Sequence, residues 1–388
     1  MKKILVMLMT ISILFITCSS EVSAKEKSVI RVYNWGEYIS NGDDDTLDVI
    51  GEFEKRFPEY KVEYTTYANN EEMYAKIMSG SAKYDIIIPS DYMISKMMQE
   101  NMLAKLDYNN IPNYKYIDES FKNLEFDPKN EYSVPYTWGT VGIIYNTKKV
   151  TEPVDSWDIL WDEKYKKQIL MFDNPRDSYG IAMKRLGFSQ NSTKTEEYDQ
   201  ATISLEEQKS VLQAYVNDQI FAKMTNGEAA LAPYYAGDAL TMIADNPDLA
   251  FAVPKEGTNR FVDSMVVLKN AQNKVGAEKF INFMLEPDIA LANIEYIGYS
   301  TPMSNVRDML ADDIKNSSVS YPSKEILANC ETFLNLPENI NTYMQEKWIQ
   351  VKAAGENNIG AIIQLIVTIL IMAVLVVLLL IRKRRNRQ

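Results

Sequence analysis

The sequence predicts an α/β body in two lobes, set between two apolar ends. Its 388 residues exceed one ordinary core. Short β-branched and aromatic runs alternate with segments of helical spacing, the order that builds parallel sheets with covering helices. Several strand ends carry aromatic and acidic side chains, which in open α/β sheets face a ligand crevice.

The two ends read as targeting segments. Lys2 and Lys3 precede the apolar run 4–16, and Val22, Ser23 and Ala24 supply small residues for cleavage, so residues 1–24 are expected to be a signal peptide. Cys18 raises a lipoprotein alternative, disfavoured by Thr17 where lipidation prefers Gly, Ala or Ser. At the other end, residues 359–381 carry Gln364 and Thr368 as their polar side chains, and at about 1.5 Å per residue they could cross a bilayer. The basic tail 382–388 follows, and positive charge beside a span stays in the cytoplasm. The expectation is a single-pass cell-membrane protein with its body on the extracytoplasmic face.

Charge and composition narrow the chemistry. Taking the leader's +1 and the tail's +5 from the formal −12 leaves −18 on the body. Such a surface repels nucleic acid and attracts cations. The sequence contains no histidine, which excludes Ser-His and Cys-His catalysis and the commonest metal ligand. Cys330 is the body's one thiol, so no intrachain disulfide can form there. No glycine loop for phosphates is present, and neither a cofactor nor a metal is expected. An enzyme here would have to run on carboxylates, Lys or Tyr.

In chain order, residues 29–40 (VIRVYNWGEYIS) read as a strand broken by Asn34 and Gly36, ending in Trp35, Glu37 and Tyr38. Two π-faces and a carboxylate suit an amine. The plainer alternative makes Trp35 core and Tyr38 rim. Residues 46–57 read as a helix ended by Pro58, 61–67 as a strand, and 71–79 as a helix capped by Asn70 and closed by Gly80. Residues 84–88 read as a fully buried parallel strand. Ser90, Asp91 and Tyr92 come next, with capping of a helix at 93–101 as their plain role and the cleft as the alternative.

Residues 131–146, with Pro135 and Gly139, read as a strand crossing between lobes. The strand 168–172 leads into Asp173 and Asp177 at the start of a helix at 179–186, as dipole and capping residues or as ligand carboxylates. Residues 187–205 read as loop and 208–221 as helix. A strand at 229–233 leads to Tyr234, Tyr235 and Asp238, then a helix at 239–244. Strands at 251–254 and 261–268, joined by the turn 255–260, cross back. Helices at 279–286 and 289–295 precede a loop at 298–302, and 317–348 reads as further helix and turn.

Taken together these stretches resemble the spermidine/putrescine-binding proteins, the substrate-binding components of polyamine ABC importers. The resemblance runs from about residue 29 to 352. It is carried by NWGEYI at Asn34, YDIIIPSDYMI at Tyr84, VPYTWGTVGIIYN at Val134, DNPRD at Asp173, GEAALAPYYAGDA at Gly227, VPKEGTNRFVDS at Val253 and IGYSTP at Ile297. It implies a type II periplasmic-binding-protein fold, α/β, with two lobes around a ligand cleft and, in this chain, one C-terminal transmembrane helix. Lobe 1 would comprise 29–138 and 257–310, and lobe 2 would comprise 139–256 and 311–352.

The resemblance further implies that Trp35, Glu37, Tyr38, Ser90, Tyr92, Asp177, Tyr235, Phe261, Asp263 and Tyr299 bind ligand, with no catalytic residue. Against the best-known spermidine binder, Asn174 stands for an Asp, Tyr235 and Phe261 for Trp, Gly36 for a Thr and Phe333 for a Gln. The preference between spermidine and putrescine therefore does not transfer. The implied partners are a polyamine, an ABC permease and ATPase, and the membrane through the C-terminal helix, with no nucleic acid and the chain acting as a monomer. Carboxylates at fixed separations with flat rings between them suit ammonium groups joined by methylenes. The alternatives are a binding protein for another small cationic or neutral solute, and a tethered carboxylate-pair glycosidase, which would turn its ligand over.

Overall fold

The computed structural model describes residues 27–354. Over these, nine strands form one continuous sheet: β1 (Ser28–Trp35), β2 (Tyr60–Tyr67), β3 (Ile86–Ile87), β4 (Ser133–Asn146), β5 (Ile169–Phe172), β6 (Leu212–Val216), β7 (Leu231–Tyr235), β8 (Leu249–Ala252) and β9 (Arg260–Val267). The spatial order is β2-β1-β3-β9-β4-β7-β5-β6, with β8 paired to β4. β1 runs parallel to β2 and β3, and β5 runs parallel to β6 and β7. Each parallel group belongs to one lobe.

β4 joins the two. Its residues 133–140 pair antiparallel with β9, and its residues 141–146 pair with β7 and β8. Pro135, which cannot donate to a ladder, sits where the β9 register shifts, a position that tolerates it. The chain returns between β8 and β9. A third passage leads from the lobe 1 core at Leu310 to the helix Glu338–Ala353 in lobe 2, so three segments connect the lobes.

Period-2 alternation divides the lobe 1 core into two layers. Ile30, Val32 and Ile86 pack with Phe53, Phe280 and Phe283 on one face, while Tyr33 and Ile87 pack with Tyr67, Met73 and Met97 on the other. Lobe 2 has its own core, built from Trp157, Phe172, Tyr179, Tyr198 and Ile220. The helix Glu338–Ala353 closes that core with Ile340, Met344 and Trp348, spaced four residues apart along one stripe.

Several expected elements differ. The loop expected at 187–205 contains most of the helix Thr195–Gln208, and the helix expected at 208–221 is β6 followed by the helix Gln219–Thr225. In β6 (LQAYV) the two ends are buried and the middle half-buried, so Leu212 and Val216 mimic a helical i, i+4 pair. Asn69, not Asn70, caps the helix Asn70–Met78 by accepting the N–H of Glu72.

The expected membrane-spanning helix is a correction to the fold. No helix among the described residues is long and apolar enough to cross a membrane. The longest of them, Glu338–Ala353, has 16 residues and carries Glu338, Glu346, Lys347 and Lys352. The stretch expected to span, 359–381, lies outside the described residues, as do the expected signal peptide, Cys18 and the basic tail. Over the described residues the fold is a two-lobed α/β body with no membrane-spanning helix.

Candidate ligand cleft

The carboxyl ends of β1, β5, β6 and β7 open on one gap between the lobes, a cleft whose empty space, its solvent-open mouth included, is about 840 Å³. Nine of the ten residues expected to bind ligand line it: Trp35, Tyr38, Ser90, Tyr92, Asp177, Tyr235, Phe261, Asp263 and Tyr299. Glu37 is the exception. It is exposed, sits at φ 46° in the turn after β1, and is not among the lining residues.

That turn is written by Asn34. Its side-chain oxygen accepts the Trp35 N–H at 2.9 Å and its amide donates to the Tyr38 carbonyl at 3.3 Å, folding the strand end back on itself. Trp35 and Tyr38 face inward as a result. The Trp35 indole N–H donates to the Ile88 carbonyl at 2.8 Å, and the Tyr67 hydroxyl donates to the same carbonyl at 2.7 Å. The two rings sit 4.8 Å apart. Both are thereby fixed before any ligand arrives.

Ser90 is not used as a cap. It occupies the N-cap position of the helix Asp91–Gln99 without a capping bond. Its hydroxyl instead accepts from Asn70 at 3.1 Å and stands beside Asp263. Asp91 takes the structural load, accepting the N–H groups of Tyr92 at 2.7 Å and Val262 at 3.1 Å, and burial pushes its pKa up to about 8.

On lobe 2, Asn174 caps the helix Pro175–Arg185 by accepting the Asp177 N–H at 2.8 Å. This leaves the Asp177 carboxylate to accept the Tyr235 hydroxyl at 2.7 Å. Asp263 accepts the Tyr38 hydroxyl at 2.7 Å, and that hydroxyl also bonds Thr137. The other oxygen of Asp263 is buried without a hydrogen bond, on a residue only 5% exposed. Burial raises the Asp177 pKa and lifts that of Asp263 to about 6.

The apolar walls form a connected set of rings. Tyr299 stands edge-on to Tyr38 at 4.8 Å and lies 6.1 Å from Phe261, which meets Tyr235 at 5.4 Å. Tyr299 reaches this position because residue 237 is glycine: a Cβ there would lie 2.3 Å from the Tyr299 ring. The chain enters through Gly298 at φ 73°, a left-handed helix cap that glycine adopts without strain.

Three further carboxylates line the cavity: Glu71, Asp218 and Asp238. Tyr92 donates to Glu71 at 2.9 Å, and burial raises the pKa of Glu71. Burial lifts the pKa of Asp238 to about 7, against a hydrogen bond from Tyr299 that lowers it. Asp218 is likewise raised by burial. No Lys or Arg lines the cavity. Arg176, the buried cation behind it, stacks 4.1 Å from the Phe333 ring and donates to Gln190, Asn191 and Leu334.

The comparisons with known proteins agree with this architecture. The family of bacterial extracellular solute-binding proteins matches residues 48–319, well over half of the chain. The chain belongs to that family. Its relatives include the spermidine/putrescine-binding periplasmic protein of Escherichia coli K12, 34% identical over 314 residues, covering 80% of this chain and 88% of the relative. The putrescine-binding periplasmic protein PotF of the same organism is 27% identical over 350 residues, covering 85% and 93%. Among solved structures, a putative spermidine/putrescine ABC transporter protein from Listeria monocytogenes is 40% identical with a TM-score of 0.79, covering 84% of this chain and 98% of that one.

As a solute-binding protein the chain works outside the cytoplasm and is not an enzyme. The five lining carboxylates of this solute-binding protein come from both lobes. Glu71 and Asp263 belong to the β1-to-β3 and β9 side, and Asp177, Asp218 and Asp238 to the β5-to-β7 side. The lobes meet across the gap: a Cβ on Gly36 would lie 3.4 Å from Asp218 Oδ2.

Proposed function

We propose that this solute-binding protein of an ABC importer binds polyamines, spermidine or putrescine, in the cleft between its lobes and presents them to a permease and its ATPase. One observation carries the reading. Five carboxylates and a connected set of aromatic rings face a single cavity that no Lys or Arg enters. A cavity so lined is complementary to ammonium groups linked by methylenes and repels anions.

The ligand-binding side chains are Trp35, Tyr38, Ser90, Tyr92, Asp177, Tyr235, Phe261, Asp263 and Tyr299, joined by Glu71, Asp218 and Asp238, with Glu37 acting from the rim. The lobes divide near residues 138 and 256, with 257–310 returning to lobe 1 and 311–352 to lobe 2. Because both walls of the cleft come from one chain, the monomer is the working unit. A charge-assisted hydrogen bond contributes about 1.5 to 3 kcal/mol and a desolvated cation–π contact about 2. A few of each, less the cost of association, reach about −8 kcal/mol, which is micromolar.

Calorimetric titration of the protein with spermidine, putrescine, a neutral sugar and a dicarboxylate tests this. The expected result is a saturable isotherm, micromolar or tighter, with at least one amine and none with the other two. Flat titrations with both amines would end the proposal.

A further inference from the structure

We propose that amine binding in this cleft is an exchange of protons for ammonium groups, so that affinity, and the margin between a triamine and a diamine, both shrink as the medium acidifies. The proposal rests on the polyamine reading. Its basis is a count of charges around one cavity.

Glu71, Asp177, Asp263, Asp238 and Asp218 line one cavity without a lysine or arginine among them. Their charges act on one another: Asp177 on Glu71 and on Asp263, and both Asp263 and Asp218 on Asp238. Tyrosine hydroxyls satisfy one oxygen each of Asp263, Asp177 and Glu71, from Tyr38, Tyr235 and Tyr92. The remaining oxygen of Asp263 is buried and unpartnered on a lining residue. An ionised carboxylate so placed needs a cation, or it takes a proton.

The protein supplies little positive charge here. Around Asp263 stand Tyr38 from the turn after β1, Tyr67 from β2, Ser90 and Asp91 from the start of one helix, and Asp177 with Arg176 from another. Arg176 is the one cation among these groups, and carbonyls and Asn191 already engage it. Around Asp238 stand Asp218, Glu37, Tyr234 and Tyr299, and none of them is positive.

The sign follows. In the free cleft burial places Asp263 near 6 and Asp238 near 7, so both carry protons over part of the neutral range. A bound ammonium group favours the ionised carboxylate and lowers its pKa. Each affected group therefore passes from COOH to COO⁻, its proton leaves to the buffer, and the ammonium keeps its own protons. The slope of log K against pH equals the number of protons released. Affinity is then complete above both free-cleft values and falls as pH drops through them. A triamine brings three charges against the diamine's two, displaces more protons, and loses more on acidification.

The test is calorimetry of the full chain with putrescine and spermidine, near pH 6.5, in buffers of differing ionisation enthalpy. Apparent enthalpies should vary linearly with the buffer term, with about one proton released by putrescine and more by spermidine. Between about pH 7.5 and 5.5, spermidine affinity should fall tenfold or more, and the ratio of the two affinities should narrow. Asp238→Asn should flatten both dependences, and Asp218→Asn, the lining carboxylate that acts on Asp238, should flatten them in part. Tight binding with no buffer term and no pH dependence overturns the exchange and leaves the polyamine reading standing. No binding of either amine at any pH overturns both.

Discussion

Asp263 concentrates the logic of the cleft in one side chain. One of its oxygens accepts a tyrosine hydroxyl, the other is buried without a partner, and the residue is nearly sealed from solvent. Asp263→Asn removes the charge and keeps the shape, so the loss reports the charge-assisted part, about 1.5 to 3 kcal/mol, or about tenfold to a hundredfold in Kd. Trp35→Ala removes a ring already pinned to the Ile88 carbonyl and should weaken spermidine binding at least tenfold. Glu37→Gln, exposed and outside the lining, should change it less than either. Calorimetry on the three variants, with circular dichroism to show that each is folded, checks the ranking. Equal losses for Glu37→Gln and Asp263→Asn would return Glu37 to the centre of the site.

Much of the cleft was legible at the level of elements, because its residues follow strands that the period-2 pattern reveals. Trp35 ends β1, Asp177 follows β5, and Tyr235 ends β7. What escaped was side-chain duty at helix starts. Asn70, Ser90 and Asp177 all looked equally fit to cap, yet Asn69 caps one helix, Asn174 another, and the third start relies on no side-chain cap. The freed residues turn to the cavity. Asp218 was hidden for another reason: it follows β6, whose half-buried middle reads as helix, so no strand end marked it. Glu71 lies one residue into a helix where an acidic side chain is ordinarily explained by the helix dipole. Gly237 belongs to this scale too, since its missing Cβ admits the Tyr299 ring. Gly237→Ala should overpack that contact by about 1 to 3 kcal/mol, lower the melting temperature, and weaken amine binding by displacing Tyr299. An unchanged melting curve and affinity would show that the ring yields without consequence.

For the molecule as a whole, the cleft works only if the two lobes share one ligand. Carboxylates from both sides line it, Tyr235 on one lobe meets Phe261 on the other, and the connections are limited to β4, the segment between β8 and β9, and the passage from Leu310 to the helix Glu338–Ala353. Three such connections leave a hinge as the soft coordinate, and a ligand that touches both lobes binds the closed arrangement better than the open one. At a hundredfold excess over its Kd the amine should stabilise the protein by about 2.7 kcal/mol, visible as a higher melting temperature. Closure itself should appear in small-angle scattering as a smaller radius of gyration with spermidine than without. Removing two of the lobe 2 contacts by combining Asp177→Asn with Tyr235→Ala, with Asp218 and Asp238 left in place, separates grip from closure. The lobe 1 side keeps Asp263, Trp35 and Tyr38, so weak binding should persist while the radius contracts less. A full contraction in that double variant would mean that the lobes close for reasons other than the groups facing each other across the gap.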